Sequence, residues 1–287
     1  MITFTKLGSY GRLGNQMFQY ASLRGIAHNN QYHWGIPRPD NTGLCDYTLF
    51  DCFEMGTVKE ENFINLENIK QITSISKAGY EFNIKLYNNC VDNTDLQDYL
   101  QSYKYFENIL DVIKLDFTFR DHILESCRQE INLYNDPIFL HVRRGDYLNQ
   151  PQNHPTCSVE YYSEALKLFP DSCDVLIFSD DLDWCKENFK SNRYIIQQEN
   201  IKHKHQAQIP GGLTNSFVPY YDLCKMSLCG GGIISNSSLS WWGAYLGPRK
   251  YHIVYPHPWF GPALSHNTKD LIPLEWVKLN IKTGVLL

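Results

Sequence analysis

The sequence lacks several features that would each define a class of protein. Its nine cysteines include no CxxC pair, which disfavours a zinc ribbon or a redox dithiol. Its net charge of −5 provides no overall positive field to hold a nucleic-acid backbone, so no nucleic-acid partner is expected. The chain begins Met-Ile-Thr-Phe-Thr-Lys, without a basic stretch followed by an apolar one, and this predicts neither a secretory signal nor an amino-terminal anchor. A cytoplasmic protein with reduced thiols is therefore expected.

Motifs of covalent hydrolases and of P-loop enzymes are absent as well. There is no GK[ST] ending a Walker A motif and no GxSxG nucleophile elbow. The histidines give no metal-ligand spacing beyond His203 and His205, which we interpret as part of a polar loop. The stretch from Met226 to Pro248 carries no charge and is long enough to cross a bilayer, which takes ~20 residues. Its three consecutive glycines and five serines instead indicate buried core around a loop.

What is present is a regular alternation of strands and helices in the second half of the chain. The length of 287 residues, at roughly 100–200 residues per domain, predicts about two domains. Strands alternating with helices predict a doubly wound parallel sheet. The predicted strands lie at Ile138–Val142, Val175–Ser179, Tyr194–Gln197, Gly232–Ser235 and Ile253–Tyr255, and the predicted helices at Ser158–Phe169, Leu182–Phe189, Phe217–Cys229 and Ser237–Leu246. We therefore predict an α/β protein with an amino-terminal half at 1–135 and a Rossmann-like half at 136–287.

The amino-terminal half gives weaker signals. A short apolar alternation at Ile2–Leu7, a glycine-rich turn and helical spacing at Met17–Ala27 predict a strand, a turn and a helix. The patch Tyr80–Tyr87 is interpreted as a candidate strand, and the apolar spacing from Leu100 to Leu133 predicts two helices. Glycines in the turn at 11–16 would let backbone approach a ligand closely, although the pattern is neither GxGxxG nor a Walker A motif.

The first segment that carries chemistry follows the first strand of the second half. Ligands of doubly wound sheets bind beyond the carboxyl ends of the strands, and His141-Val-Arg-Arg-Gly-Asp-Tyr147 occupies such a position. His141 and Arg143 share one face because side chains alternate along a strand. An arginine there presents a planar, permanently charged fork of donors that suits a phosphate. The alternative is that Arg143 pairs with Asp146 only to shape the loop.

A second segment runs from Gly230 to Trp242, where a strand leads into asparagine and serine residues at the start of a helix. Backbone N–H groups and small hydroxyls at a helix N-terminus favour phosphate oxygens. The alternative is a serine N-cap without a ligand. Trp241 and Trp242 are predicted to pack in the core.

A third segment, Phe178-Ser-Asp-Asp-Leu-Asp183, contains a DxD sequence formed by Asp181 and Asp183. In some glycosyltransferases such a pair holds Mn²⁺ on a nucleotide diphosphate. Because these aspartates precede a helix, helix capping explains them better. An acidic side chain at this strand end is also suited to accept hydrogen bonds from a base or a ribose.

Taken together, five segments resemble the α-1,2-fucosyltransferase family of bacteria and animals, in the family's order and across nearly the whole chain. They are GRLGNQMFQYA at 11–21, LQSYKYFENI at 100–109, HVRRGDYL at 141–148, FSDDLDWCKENF at 178–189 and ISNSSLSWWGAYL at 234–246. The resemblance implies a GT-B-type fold of two Rossmann-like halves facing a cleft. It implies GDP-β-L-fucose as donor, inversion at the anomeric carbon, no required metal or other cofactor, and transfer to the 2-hydroxyl of a terminal galactose.

The resemblance also implies roles for individual residues. The HxRRxD pattern falls on His141, Arg143, Arg144 and Asp146, with Arg143 as the clamp on the diphosphate. Donor contacts are further implied for Gly11, Gly14, Asn15, Asn236, Ser237, Ser238 and Ser240, with either Asp180 or Asp181 near the nucleotide base. Acceptor contacts are assigned to Gln16 and His154. Asp146 is the candidate general base unless it braces an arginine, and His154 is the other candidate.

We therefore predict a fucosyltransferase whose partners are GDP-fucose, bound to the second half, and a galactose-terminated glycan. Two alternatives remain: a DxD-dependent, metal-dependent glycosyltransferase that uses another nucleotide sugar, and a non-catalytic protein that binds a nucleotide sugar. A structural interaction domain is a third, weaker one. Peripheral association with a membrane and the oligomeric state stay open. The stretch after Tyr147 and residues 31–95 match nothing distinctive in the family, and we expect acceptor choice to reside there.

Overall fold

The computed structural model describes residues 1–39, 47–64, 73–75, 79–197, 205–209, 212–216 and 219–287. Contacts divide the chain into two compact units. The first unit comprises Met1–Arg120, Gln206–Ser216 and His266–Pro273, and the second comprises Asp121–His205, Phe217–Ser265 and Leu274–Leu287. This division falls at Arg120, fifteen residues before the boundary expected from the sequence, because the helix over Asp121–Ile131 packs against the helix over Pro219–Leu228.

The first unit is built on a sheet of five parallel strands in the order β3-β2-β1-β5-β4. Its elements are β1 (Ile2–Thr3), α1 (Leu13–Asn30), β2 (Trp34–Pro37), α2 (Leu49–Cys52), β3 (Phe63–Ile64), β4 (Thr73–Ile75), α3 (Ile84–Asn89), β5 (Thr94–Leu96) and α4 (Leu110–Asp116). The predicted first helix is confirmed and is longer than expected, whereas the predicted first strand contracts to Ile2–Thr3.

One prediction in this unit is wrong. The patch Tyr80–Tyr87 was expected to be a strand, but α3 begins within it. The reason is local: the side chain of Asn83 accepts hydrogen bonds from the backbone N–H groups of Lys85 and Leu86, which caps the start of the helix.

The chain from Asp121 onward contains the second unit and also a pair of strands, β9 and β10, that hydrogen-bond to each other and belong, from Gln206 to Ser216, to the first unit. The elements are α5 (Asp121–Ile131), β6 (Ile138–Val142), α6 (Val159–Leu166), β7 (Val175–Ser179), α7 (Leu182–Asn188), β8 (Tyr194–Ile196), β9 (His205–Ile209), β10 (Gly212–Ser216), α8 (Pro219–Leu228), β11 (Gly232–Ile233), α9 (Ser238–Leu246), β12 (Ile253–His257) and β13 (Val277–Asn280). The predicted alternation is confirmed, whereas β9, β10 and β13 were not predicted. Of the two histidines placed in a polar loop from the sequence, His203 lies outside the described residues, and the prediction for His205 is wrong because this residue begins β9.

The sheet of the second unit has six parallel strands in the order β13-β12-β11-β6-β7-β8. Successive strands are added on one side from β6 to β8 and on the other side from β11 to β13. The boundary between β6 and β11 is therefore the topological switch point, where doubly wound sheets bind their ligands.

Apolar residues explain why β6 and β7 occupy the middle of this sheet. All five residues of β6 are buried, and so are the first four of β7, as expected for parallel strands covered on both faces. The ring hydroxyls of Tyr161 and Tyr162 on α6 reach the sheet and donate to the carbonyls of Ile234 and His141, at 2.7 and 3.1 Å. Ser158 caps α6 as predicted, because its side chain accepts from the Tyr161 N–H group.

The uncharged stretch from Met226 to Pro248 forms the end of α8, β11 and α9, and most of it is buried, as the sequence predicted. Trp241 and Trp242 are fully buried. The glycine before them has a packing role, because a Cβ at Gly232 would lie 2.2 Å from the ring of Phe139. Across the described part of the chain, no helix combines the length and apolarity needed to span a membrane.

Candidate active site

Polar side chains gather at the switch point, where β6 and β11 end side by side. Nδ1 of His141, on β6, lies 2.7 Å from Oγ of Ser235, two residues after the end of β11, in a buried hydrogen bond. Burial, helped by the positive charge of Arg143, lowers the pKa of His141 to about 3. The imidazole is therefore neutral at physiological pH. Its visible role is to join the ends of the two strands.

Arg143 extends from the end of β6 and is held on three sides. Its Nη2 donates to Asp146 at 2.5 Å, its Nη1 pairs with Asp180 at 2.7 Å, and its Cζ lies 5.3 Å from the ring centre of Tyr147. The loop-shaping pair with Asp146 is thus present. It uses one of the five N–H donors of the guanidinium, and Asp180 uses another.

Arg144 is fixed by the next strand. Its backbone N–H donates to Asp180 at 2.8 Å, its Nε donates to Asp181 at 2.9 Å, and its Cζ lies 4.4 Å from the ring of Trp184. A Cβ at Gly145 would approach the Asp180 carboxylate to 2.5 Å, so a larger residue there would displace this carboxylate from the arginines. The two arginines and two aspartates therefore form a cross-linked set at the ends of β6 and β7.

The DxD aspartates have partners that explain them without a metal ion. Asp181 caps α7 by accepting from the Trp184 N–H group at 3.2 Å, as the sequence favoured. Asp183 is exposed and pairs with Lys186 at 2.8 Å, and this hydrogen bond lowers its pKa. In the described part of the chain, no group of three or more histidine, cysteine, aspartate or glutamate side chains is arranged to hold a metal.

The second predicted phosphate segment lies beside this set. Ser237 is the N-cap residue of α9, and its side chain makes no capping bond. Ser238 begins the helix, and the buried Ser240 donates through Oγ to the Ser237 carbonyl at 3.3 Å. Because β11 and β6 are neighbouring parallel strands, Arg143 and the start of α9 lie at the same edge of one sheet. A loop contact confirms this, since the Tyr147 hydroxyl donates to the Asn236 carbonyl at 3.1 Å.

The amino-terminal residues of the predicted site lie in the other unit. Gly11 has a φ of +82°, which favours glycine, and Gly14 is buried in the first turn of α1. The side chain of Asn15 accepts from Gln101 at 2.7 Å. Gln16 is fully buried: it donates to the Gly11 carbonyl and accepts from the Thr48 N–H group. Gln16, predicted to bind the acceptor, thus holds the glycine turn in place.

His154, the other predicted acceptor residue, stacks on Tyr147 with ring centres 4.7 Å apart and planes at 20°. Tyr147, Trp184 and Ser235 take part in the site but were not singled out from the sequence. Tyr147 and Trp184 stand inside the quoted segments, next to the arginine and aspartate motifs, and aromatic rings beside arginines are a known signal for stacking.

The fold and this site together define a glycosyltransferase with an α/β fold of the GT-B type. The chain belongs to glycosyl transferase family 11, whose model matches residues 3–280.

Three curated relatives are similar over most of the chain. The O-antigen biosynthesis glycosyltransferase WbnK of Escherichia coli is 25% identical and covers 94% of this chain and 98% of its own length. An alpha-1,2-colitosyltransferase of Escherichia coli is 25% identical, and the match covers 94% of this chain and 96% of the relative. The galactoside alpha-(1,2)-fucosyltransferase 2 of Oryctolagus cuniculus is 24% identical, and the match covers 97% of this chain and 77% of the relative.

These relatives confirm the resemblance to bacterial and animal α-1,2-fucosyltransferases. Solved structures confirm the fold. The fucosyltransferase NodZ from Bradyrhizobium superposes with a TM-score of 0.54 at 14% identity, covering 86% of this chain and 93% of its own. NodZ alpha-1,6-fucosyltransferase soaked with GDP-fucose superposes with a TM-score of 0.51 at 16% identity, and the match covers 86% of this chain and 92% of that chain.

Proposed function

We propose that this protein is an inverting, metal-independent fucosyltransferase that moves L-fucose from GDP-β-L-fucose to the 2-hydroxyl of a terminal galactose of a glycan. One observation carries the proposal: Arg143 and the serine-bearing start of α9 follow two neighbouring strands at the switch point of one parallel sheet. The activities of the relatives support the sugar and the linkage, and the GDP-fucose soaked into NodZ supports the nucleotide.

The arrangement suits the charge that develops during transfer. Breaking the bond between fucose and phosphate leaves negative charge on the departing diphosphate, so fixed donors aimed at it lower the barrier. Arg143 offers N–H donors beyond the two that meet carboxylates. The start of α9 adds backbone N–H groups that have no partner within the helix, and the Ser237 and Ser238 hydroxyls lie there as well.

Asp146 is suited to remove the proton from the acceptor hydroxyl. Its carboxylate is 52% exposed, and an ion pair this exposed contributes at most about 1 kcal/mol. A diphosphate oxygen can therefore replace Asp146 on Arg143 at little cost. In our proposal the released carboxylate takes the proton of the acceptor hydroxyl as its oxygen attacks the anomeric carbon from the face opposite GDP. The new glycosidic bond forms, the bond to phosphate breaks, and GDP leaves with the electron pair.

We assign the nucleotide to the second unit. Asp180 and Asp181 stay the candidates for contact with the guanosine, although both already bind arginine groups. The acceptor is assigned to the first unit. There the fully buried Gln16 would act through the backbone of the glycine turn that it holds.

A second candidate donor sugar is colitose, because the alpha-1,2-colitosyltransferase covers 96% of its own length in the match. Colitose lacks one hydroxyl of fucose, so the same diphosphate chemistry would serve both. The difference would lie in contacts to the sugar ring.

The test is a donor and acceptor screen with linkage analysis. The protein is incubated with GDP-fucose or GDP-colitose and with lactose or lacto-N-biose, with and without EDTA, while GDP release is measured. We expect GDP release with GDP-fucose, unchanged by EDTA, and an α-1,2 product by NMR. Activity lost in EDTA and restored by Mn²⁺ would identify the metal-dependent alternative. GDP-fucose binding without transfer to any galactoside would identify a non-catalytic nucleotide-sugar-binding protein.

A further inference from the structure

Asn236 joins three loops at the carboxyl edge of the second sheet. Its side-chain Nδ2 donates to the carbonyls of Pro155 and Trp259, at 3.0 and 2.9 Å, and its own carbonyl accepts from the Tyr147 hydroxyl. The loops that follow β6, β11 and β12 therefore meet at one buried residue. Both amide hydrogens are used, so the orientation of the side chain is fixed.

Tyr147 connects this junction to Arg143. Its ring contacts the Arg143 guanidinium at 5.3 Å and stacks on the ring of His154, which in turn contacts Phe260 at 5.7 Å. Burial raises the pKa of Tyr147 to about 12, so its hydroxyl stays protonated and keeps donating to Asn236. This hydrogen bond thus fixes the position of the hydroxyl end of the ring against which the guanidinium lies.

We propose that Tyr147, anchored by Asn236, is a positioning residue that fixes the Arg143 guanidinium for contact with the nucleoside diphosphate; this inference rests on the proposed function. The carboxylates of Asp146 and Asp180 hold Arg143 in the structure described. A diphosphate that takes over the Asp146 bond removes one of these supports. The ring of Tyr147 is a support that an anion does not compete for, because it holds the guanidinium by its face.

The experiment is a double-mutant cycle read by GDP affinity, using titration calorimetry on the full chain. Tyr147→Phe keeps the ring and removes only the hydrogen bond to Asn236. We expect it to weaken GDP binding about three- to tenfold, the range of one neutral hydrogen bond. In an Arg143→Ala background the same change should cost less than twofold, because a residue that acts through Arg143 has nothing left to position.

Tyr161→Phe is the matched control. It also removes a tyrosine hydroxyl that donates to a backbone carbonyl, that of Ile234, in the same unit. It should lower Tm and leave GDP affinity unchanged. Tyr147→Trp, which has a ring but no hydroxyl, serves as a second variant if Tyr147→Phe does not fold.

Each outcome bears on the inference. Wild-type affinity in Tyr147→Phe, or an equal loss in both backgrounds, would overturn it while leaving the proposed function intact. A wild-type protein that binds no GDP would overturn both. A loss of affinity only in proportion to a loss of folded protein, seen by circular dichroism, would reduce Tyr147 to a structural residue.

Discussion

At the scale of single residues, the contacts of Arg143 make its geometry as important as its charge. The guanidinium reaches Asp146 and Asp180 through two different nitrogens and lies against the Tyr147 ring. A lysine ammonium is a point charge and cannot reproduce this fork. We expect Arg143→Lys to lower kcat for GDP release from GDP-fucose by about 10²–10³, as for loss of one preorganised donor to a developing anion.

Arg193→Lys provides the control for this change. Arg193 also pairs with an aspartate, Asp171, at 2.8 Å in the second unit, and it lies beside the ring of Tyr194. We expect its kcat to stay within about twofold of wild type. A kcat in Arg143→Lys equal to that of Arg193→Lys would contradict a role for the fork.

His141 predicts a pH dependence of stability. Its pKa falls from 6.5 to about 3 in the folded protein, chiefly through burial. The unfolded chain therefore takes up a proton near pH 6.5 that the folded chain refuses, and stability decreases as pH falls from 6.5 toward 3. The decrease from this group is about 1.4 kcal/mol per pH unit at most. Relative to a His141→Gln variant, the wild-type Tm should fall between pH 7 and pH 5.

An exposed histidine isolates this effect. His122 lies on the surface of α5 in the same unit, and the Tm difference between His122→Gln and wild type should stay flat over the same range. The same flat difference for His141→Gln would mean that the buried imidazole accepts a proton without cost.

At the scale of elements, α8 contains a second buried titrating group. Burial raises the pKa of Asp222 from 3.8 to about 7, although the nearby Lys225 opposes this. The folded state therefore favours the protonated acid. The resulting stability is full below pH 3.8 and is lost as pH rises through 7. Asp222→Asn should be more stable than wild type at pH 8, by about 4 kcal/mol at most, with little difference at pH 4.

Urea unfolding at the two pH values measures this gap. Asp171→Asn, at a fully exposed carboxylate in the same unit, should show no such change with pH. A gap for Asp222→Asn that is equal at pH 4 and pH 8 would show that burial does not raise the pKa of the Asp222 carboxyl.

The elements also show what the sequence can predict. In the second unit, the runs 138–142 and 175–178 are buried on both faces, so their apolar composition alone predicts them as strands. In the first unit β1 and β3 have two residues each, too few for any period to appear. The capped start of α3 was overlooked because its aromatic residues resemble a strand.

The site divides in the same way. The positions of Arg143, Asp146 and Ser237 at one edge of the sheet could be predicted because each follows a recognisable strand. The contacts that these site residues make could not be predicted, because some of them join distant parts of the sequence. His141 and Ser235, for example, lie 94 positions apart. Nothing in the local sequence of Gln16 indicates that its side chain is buried under the glycine turn rather than open to an acceptor.

At the scale of the whole molecule, the cysteines behave as small buried residues. The eight cysteines in the described part of the chain form no disulfide bond and are buried, and Cys45 lies outside it. Burial raises the pKa of Cys157 to about 12 and that of Cys185 to about 11, which keeps these thiols from forming reactive thiolates. We expect the native protein to react with a thiol reagent at Cys45 at most, and all nine thiols to react in denaturant. Rapid labelling of Cys157 in the native protein would contradict this.

The first unit is completed by a segment that the ribosome makes late. Asp270 accepts from the Phe82 N–H group and pairs with Lys104, and its carbonyl accepts from Ser102, 168 residues earlier. A nascent chain that has emerged only to Arg120 therefore lacks these partners. The same holds for a chimera: exchanging residues 1–120 for those of a relative with another acceptor would pair a foreign sheet with the resident 266–273 segment. Such an exchange has to carry both pieces together.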